Sequence, residues 1–341
     1  MKKLGVWFLF FVLLGGTLFS LGVEEAAEVE RKLIIYAYDS FVSDWGPAGQ
    51  IAPAFKEETG IEVEFRSVGD AGQVLSRAIL EKDNPRADII LGIDNNLLSR
   101  ALEADILEAY TPKTVNLVPE ELLFDDTGKI IPFDYGFFSI IYDSQKIADP
   151  PASLEELTRE EFEKSLIIMD PRTSSPGLGF LLWTVKIYGE NYKDYWKRLK
   201  PSILTVTDGW DSGYGLFTAG EAPMVVSYTT SPAYHVEFEE TERYKAALFE
   251  SGHYMQIEGM GILKGASNRE EAEAFIDFMV TDSFQRVIPL TNFMFPVNQE
   301  TALPASFDFA PKPKDILLMG TEEIRKHQEE WLSEWTRILS E

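Results

Sequence analysis

Cysteine is absent from the 341 residues of the chain. The protein therefore cannot form a disulfide, use a thiol nucleophile or carry the lipid-modified cysteine of a bacterial lipoprotein. Histidine is scarce, with only His235, His253 and His327, and their wide spacing fits no histidine metal motif. The sequence thus excludes thiol chemistry and gives no support to a histidine metal centre or a bound cofactor.

Basic residues are few relative to acidic ones: 31 Lys and Arg face 56 Asp and Glu, for a net charge of −25. A nucleic-acid partner is not expected, because phosphate backbones require a basic face. The acid excess indicates a cationic ligand only weakly, since carboxylates commonly keep a surface soluble. Walker loops and Gly-x-Ser-x-Gly elbows are missing, and no two carboxylates are singled out by spacing as a glycosidase pair.

One long hydrophobic run, 4–21, follows Lys2 and Lys3 and precedes the acidic Glu24. This order predicts a secretory signal over 1–22 and a periplasmic protein, with a single membrane-spanning helix as the alternative. Loss of the two lysines with the signal would change the net charge from −25 to −27.

Short apolar runs alternate with amphipathic patterns after the N-terminal segment. The predicted strands are "KLIIYAY", "IEVEFRSV" and "ADIILGI", and the predicted helices are "GQIAPAFKEETG", "GQVLSRAILEKDN" and "NNLLSRALEADI". This βαβαβα order predicts an α/β protein with mainly parallel sheets flanked by helices. Ligands of such sheets bind beyond the carboxyl ends of the strands, where "YDSFVSDWGP", "VGDAG" and "GIDNN" all fall.

A long aromatic strand within 130–147 carries Pro132 and Gly136, as a chain passing between two lobes would. A second crossing between the lobes is predicted near 257, where "HYMQIEGMGILK" brings the chain back to the first lobe. The predicted division is 32–133 with about 258–300 for lobe 1, and 134–257 with about 301–341 for lobe 2.

Three loops in the second half carry side chains suited to ligand binding. "DPRTSSPGLG" opens a helix near Pro176, so Ser174 and Ser175 either hold a phosphate or carboxylate or simply cap the helix. "VTDGWDSGYG" and "SYTTSPAYH" follow strands and place aromatic rings among small hydroxyl residues. Such rings suit a flat or cationic ligand, although packing in the core is the commoner use of an aromatic residue.

Seven segments together resemble a known family. "YDSFVSDWGP", "LGIDNNLL", "PFDYGFFSIIYD", "DPRTSSPGLGFLLW", "YGLF", "SYTTSPAYH" and "FMFPV" occur in the same order, with matching separations, in the periplasmic thiamine-binding proteins of bacterial ABC importers. The resemblance extends from about Lys32 to Trp335. It implies a two-lobed periplasmic binding protein of type II, with the ligand in the cleft between the lobes.

The resemblance also implies which residues contact thiamine or its mono- and diphosphate esters. The implied contacts are Asp70, Ala71, Ser174, Ser175, Trp210, Tyr228, Thr229, Thr230 and Ser231, with ring faces from Tyr38, Trp45 and Tyr234. Ala71 departs from the family, where glycine is expected, and the segment 236–250 resembles the family only loosely. Asp39 and Asp44 are not assigned to the ligand, since either could cap the following helix.

The expected function is a monomeric receptor that closes on thiamine and docks with a membrane permease without doing chemistry. One alternative is a thiamine-degrading enzyme on a related scaffold, but the cysteine nucleophile of such enzymes is missing. Another is a receptor for a polyamine or other organic cation, which would have no phosphate to place at the seryl loop.

Overall fold

The computed structural model describes residues 32–341, and the predicted signal 1–22 lies outside them. The strands are β1 Lys32–Ala37, β2 Glu62–Ser67, β3 Ile89–Asp94, β4 Leu107–Glu108, β5 Ile131–Asp143, β6 Leu166–Met169, β7 Ile203–Thr207, β8 Met224–Tyr228, β9 Tyr244–Ala247, β10 His253–Leu263, β11 Phe295–Pro296 and β12 Ile316–Leu317. The α-helices are α1 Asp39–Val42, α2 Ala48–Thr59, α3 Ala71–Leu80, α4 Leu98–Glu103, α5 Ser175–Tyr188, α6 Tyr192–Leu199, α7 Trp210–Thr218, α8 Ser231–Glu239, α9 Arg269–Met279, α10 Asp282–Gln285, α11 Ile288–Thr291 and α12 Thr321–Ser340. Among these helices none is both long and apolar enough to cross a membrane.

Local sequence signals set the first βαβαβ unit. Helix α2 ends at Gly60, which adopts the left-handed conformation (φ 74°) that glycine reaches at little cost. Helix α3 begins after Asp70, whose carboxylate forms a capping box with Gln73. Strands β2, β1 and β3 then pair in parallel, as the alternation of strands and helices predicts.

The sheet as a whole is mixed, with neighbouring strands in the order β2-β1-β3-β10-β5-β8-β6-β7. Its outer strands are parallel on both sides, since β6 also pairs in parallel with β7 and β8. The two long strands in the middle are antiparallel to their neighbours: β10 to β3 and β5, and β5 to β8. The expectation of mainly parallel sheets therefore holds for the outer strands only, because the chain runs in the opposite direction where it crosses between them.

The second half of the chain packs around α5. Eleven residues of this helix are buried, and its apolar residues are spread around the axis, so neighbours cover it on several sides. Phe180 and Trp183 lie among its fully buried side chains, and Phe180 contacts Trp196 of α6 edge-on, with ring centroids 5.4 Å apart. This core supports the loops that follow β6, β7 and β8.

Strand β5 changes partner from β10 to β8 between Phe137 and Phe138, a few residues beyond the crossing predicted near 133. The C-terminal helix α12 packs against α6 of the second half and also against α4 of the first. The division of the chain into two lobes at the predicted residues stays a prediction.

Candidate ligand-binding cleft

A cleft of about 240 Å³ lies between two sets of loops, one beside strands β1 to β3 and one beside strands β6 to β8. These two groups of strands, with the helices and loops packed on them, are the two halves of the molecule. Its walls come from the loops after β1 and β2, the first turns of α5, α7 and α8, and the segment after α11. The predicted site residues that line it are Tyr38, Trp45, Asp70, Ser175, Trp210, Tyr228 and Ser231. Loops that are far apart in the sequence, from Tyr38 to Ser231, thus meet at one place, as the βα order predicts.

Five predicted site residues lie elsewhere. Tyr234 lines a neighbouring cavity of about 170 Å³, which shares Trp45, Trp210 and Phe293 with the cleft. The others, Ala71, Ser174, Thr229 and Thr230, are buried beside the cleft rather than on its surface. The hydroxyls of both threonines are buried without a hydrogen-bond partner. Ligand contact by any of the twelve residues stays a prediction.

Asp70 connects the two sides of the cleft. Its Oδ1 accepts the N–H of Ala71 at 2.6 Å, and its Oδ2 accepts the N–H of Trp210 across the cleft at 2.9 Å. Ser174 and Ser175 also lie close enough to this carboxylate to lower its pKa. Burial raises the pKa of Asp70, and the hydrogen bonds partly oppose that rise. One carboxylate thus lies at the N-terminal ends of α3, α5 and α7.

Two glycines allow this close approach. A Cβ atom on Gly72 would lie 2.5 Å from the carbonyl oxygen of Thr173 on the opposite side, closer than atoms can pack. A Cβ on Gly209 would lie 3.1 Å from Oδ2 of Asp70. The two sides of the cleft are therefore in contact, and this arrangement is termed the closed form.

Trp210 forms the wall between the cleft and the neighbouring cavity. Its ring stacks on Tyr214, with centroids 4.8 Å apart and an interplanar angle of 18°, and its Nε1–H donates to Ser227 Oγ at 2.9 Å. Trp45 lies 6.2 Å away, edge-on, and 43% of its surface is exposed. The sequence predicts Trp210 in a loop, and this prediction is wrong. Trp210 is the first residue of α7, because the helix starts after Gly209, where the Asp70 carboxylate accepts the N–H of Trp210.

The floor of the cleft contains residues that the sequence did not single out. Tyr38 donates its hydroxyl proton to Glu258 Oε2 at 2.8 Å and accepts from Asn292 Nδ2 at 2.9 Å. Both partners line the cleft. The sequence could have indicated Glu258, because it is the only acidic residue in the run "HYMQIEGMGIL", which forms a buried strand.

Gln256 joins the floor to the seryl loop. The Tyr228 hydroxyl donates to Gln256 Oε1 at 2.5 Å, and Gln256 Nε2 donates to Asp94 Oδ2 at 3.0 Å and to Ser175 Oγ at 3.1 Å. Burial raises the pKa of Asp94 to about 7. No lysine, arginine or histidine is among the described residues that line the cleft. Aromatic walls over an acidic floor favour a flat, positively charged ligand.

Comparisons with known proteins agree with this architecture. Residues 84–327 match the family model described as bacterial extracellular solute-binding protein. A solved structure described as a periplasmic thiamin binding protein superposes with a TM-score of 0.88 at 38% identity, covering 92% of this chain and 98% of that one. A periplasmic binding protein, AfuA from Actinobacillus pleuropneumoniae, superposes with a TM-score of 0.81 at 19% identity and covers 91% of this chain and 99% of its own, which supports the fold alone.

Relatives in sequence cover nearly the whole chain. The thiamine-binding periplasmic protein of Brucella melitensis is 42% identical over 321 residues, 94% of this chain and 96% of the relative. That of Escherichia coli is 41% identical over 310 residues, 90% of this chain and 93% of the relative. The fold is the two-lobed type II periplasmic binding fold expected from the sequence, and the chain belongs to the bacterial extracellular solute-binding proteins, in the family of the thiamine-binding periplasmic proteins.

Proposed function

We propose that the protein captures thiamine in the periplasm and delivers it to the permease of an ABC importer. The observation that carries the proposal is the cleft itself, where aromatic walls enclose an acidic floor with no basic residue among the described lining residues. Relatives named for thiamine binding, at about 40% identity, support the same ligand. The protein would act as an exported monomer without enzymatic activity or a cofactor.

Thiamine suits the chemistry of the cleft. Its thiazolium ring carries a permanent positive charge, which the faces of Trp210 and Trp45 attract. Its aminopyrimidine ring is flat and has donors and acceptors along one edge, so it needs polar partners such as Asn292 and Ser231 at the cleft surface. Both rings would be shielded from water in the closed form.

Lobe closure supplies the transport signal in this proposal. The hydrogen bond from Trp210 N–H to Asp70 joins the two sides and is lost if the sides separate. A ligand that touches both sides shifts the population towards the closed form by the difference between its affinities for the two forms. Nanomolar binding requires about 12 kcal/mol, more than the rings alone provide, so closure and burial must contribute the remainder. The permease would then recognise the closed form.

Thiamine is expected to bind saturably and to remain intact. Tryptophan fluorescence should change on titration with thiamine, because Trp45 and Trp210 line the cleft. Spermidine and ferric citrate serve as competing candidates from other ligand classes. The decisive control is chromatography of the protein incubated with excess thiamine, where free pyrimidine and thiazole products would support the enzyme alternative instead.

Thiamine phosphates test the role of the seryl loop. Replacing Ser174 and Ser175 together by alanine is expected to weaken the phosphate esters more than thiamine, because each hydrogen bond to a charged group contributes about 1.5–3 kcal/mol. The comparison is made by titrating all three ligands against the parent and the double variant. Equal losses would mean that the loop serves only to cap α5 and to bind Asp70, as it does in the closed form.

A further inference from the structure

Two carboxyl groups lie side by side under the cleft. Strands β5 and β10 are antiparallel and place Asp134 directly opposite Glu258. Asp134 is fully buried, and Glu258 is 5% exposed at the surface of the cleft. The two side chains are close enough to change each other's pKa, yet two ionised carboxylates have no proton with which to form a hydrogen bond.

The hydrogen-bond partners show where a proton is needed. Oδ2 of Asp134 accepts a hydrogen bond from Asn292 Nδ2 at 2.6 Å. Oδ1 of Asp134 is buried and has no hydrogen-bond donor. Glu258 accepts from Tyr38 at Oε2 and from Gln256 at Oε1, at 2.8 and 3.2 Å. A proton on Glu258 supplies the donor that the free oxygen of Asp134 lacks.

The electrostatic surroundings agree with this assignment. Burial raises the pKa of Glu258 well above its usual range, and the neighbouring charge of Asp134 raises it further. Burial also raises the pKa of Asp134, and the interactions with Asn292 and Glu258 oppose part of that rise. Both shifts favour the protonated forms, so the surroundings favour a proton shared by the two carboxyl groups.

The titratable groups that face the pair from neighbouring elements are acids and phenols. They are Tyr38 after β1, Asp94 at the end of β3 and Tyr228 at the end of β8. Within residues 32–341 no group of three or more acidic, histidine or cysteine side chains is arranged to hold a metal ion. Since no lysine, arginine or histidine is among the described lining residues, the candidates for a positive charge at the pair are a proton from solvent and the ligand.

We propose that Glu258 and Asp134 recognise the charge of the ligand, and that a bound organic cation displaces the proton that they share. This inference rests on the proposed function and names the residues that select a cationic ligand. The proton leaves to solvent, and the cation takes over its role of neutralising the buried pair. No bond other than the O–H bond is broken.

The exchange explains how the cleft tolerates buried acids when it is empty. An unpaired buried charge is costly, so the empty cleft holds a proton instead of a bare second carboxylate. A cation removes that cost, whereas an uncharged molecule of the same shape does not. The pair would therefore discriminate by charge, and the aromatic walls by shape.

Proton release is measured by calorimetry with the full chain and thiamine. Titrations at one pH in buffers of different ionisation enthalpy should show roughly one proton released per thiamine near neutral pH. Between about pH 6 and pH 8 the affinity should rise by up to tenfold per pH unit, because higher pH favours the ionised pair. The uncharged thiamine analogue, with carbon in place of the thiazolium nitrogen, should release no proton and bind equally across this range.

Asp134→Asn tests the pair itself. The amide oxygen can accept from Asn292, and its NH₂ group can donate to Glu258, so the substitution replaces the shared proton without leaving a polar atom unpaired. We expect this variant to fold, to bind thiamine with little proton release and to lose the pH dependence. Asp211→Asn is the matched control, since Asp211 lines the same cleft. It should lower the affinity slightly and keep the proton release.

The outcomes separate this inference from the proposed function. Saturable thiamine binding with no proton release, or with unchanged release in Asp134→Asn, would overturn the role of the pair and leave the receptor function intact. If Asp211→Asn no longer released a proton on thiamine binding, the proton would belong to Asp211 and not to the pair, which would also overturn the inference. A lack of thiamine binding at every pH would instead refute the proposed function.

Discussion

Replacing Trp210 with alanine should weaken thiamine binding by at least about 30-fold, which corresponds to the roughly 2 kcal/mol of a desolvated cation–π contact. The ring separates the cleft from the neighbouring cavity, so its removal also joins the two spaces and admits water. The loss should appear mainly as faster dissociation, measured by stopped-flow fluorescence after mixing with a competitor.

Two further variants show whether the ring acts on the ligand. Trp210→Phe keeps an aromatic face but loses the hydrogen bond from Nε1 to Ser227, so it should recover part of the affinity. Tyr188→Ala removes a ring from another stacked pair in the same half of the chain, with Tyr195 at 4.3 Å, and should lower the melting temperature but not the affinity. If Trp210→Ala binds thiamine as well as the parent does, Trp210 is a packing residue.

Replacing Asp70 with alanine should weaken thiamine binding by about 5- to 150-fold. The carboxylate caps α3, and loss of this cap costs about 1 kcal/mol of stability in the open and closed forms alike, so it leaves the affinity unchanged. The carboxylate also accepts the N–H of Trp210 across the cleft, and a buried N–H without a partner costs about 1–3 kcal/mol. The second cost applies only to the closed form, because water can reach this N–H when the sides separate.

The fraction of the protein in the closed form is the most direct measure of this effect. Small-angle X-ray scattering at saturating thiamine should show a larger radius of gyration for Asp70→Ala than for the parent, because part of the population stays open. Asp208→Asn is the matched control, since Asp208 lines the cleft but its side chain accepts a local hydrogen bond, from Ser212 Oγ. Equal dimensions and equal affinity for Asp70→Ala and the parent would refute a role of Asp70 in closure.

Much of the fold follows from local patterns in the sequence. The alternation of strands and helices predicts β1 to β3 with their helices, and capping residues such as Gly60 and Asp70 lie where helices end and begin. Strands β4, β11 and β12, of two residues each, escape prediction because they exist only through pairing with β10 or β5. The mixed sheet also depends on long-range pairing, which periodicity does not report.

The candidate site divides in the same way. The segments that follow strands, including those of Tyr38 and Trp210, could be placed together from the βα order alone. The proximity of Glu258 to Asp134 could not, because it depends on the register of β10 against β5 and on the irregularity that follows Glu258. Asn292 reaches the floor from a loop after α11, and no pattern in the sequence indicates that return.

The adjacent antiparallel strands β5 and β10 link the two halves as a ribbon rather than as separate linkers. Bending such a ribbon within its plane would stretch the ladder of hydrogen bonds, whereas bending it across its face leaves the ladder intact. A ribbon of this kind therefore favours one rotation of the halves over the others. With such a hinge, the two halves would return to the same relative orientation each time the cleft closes.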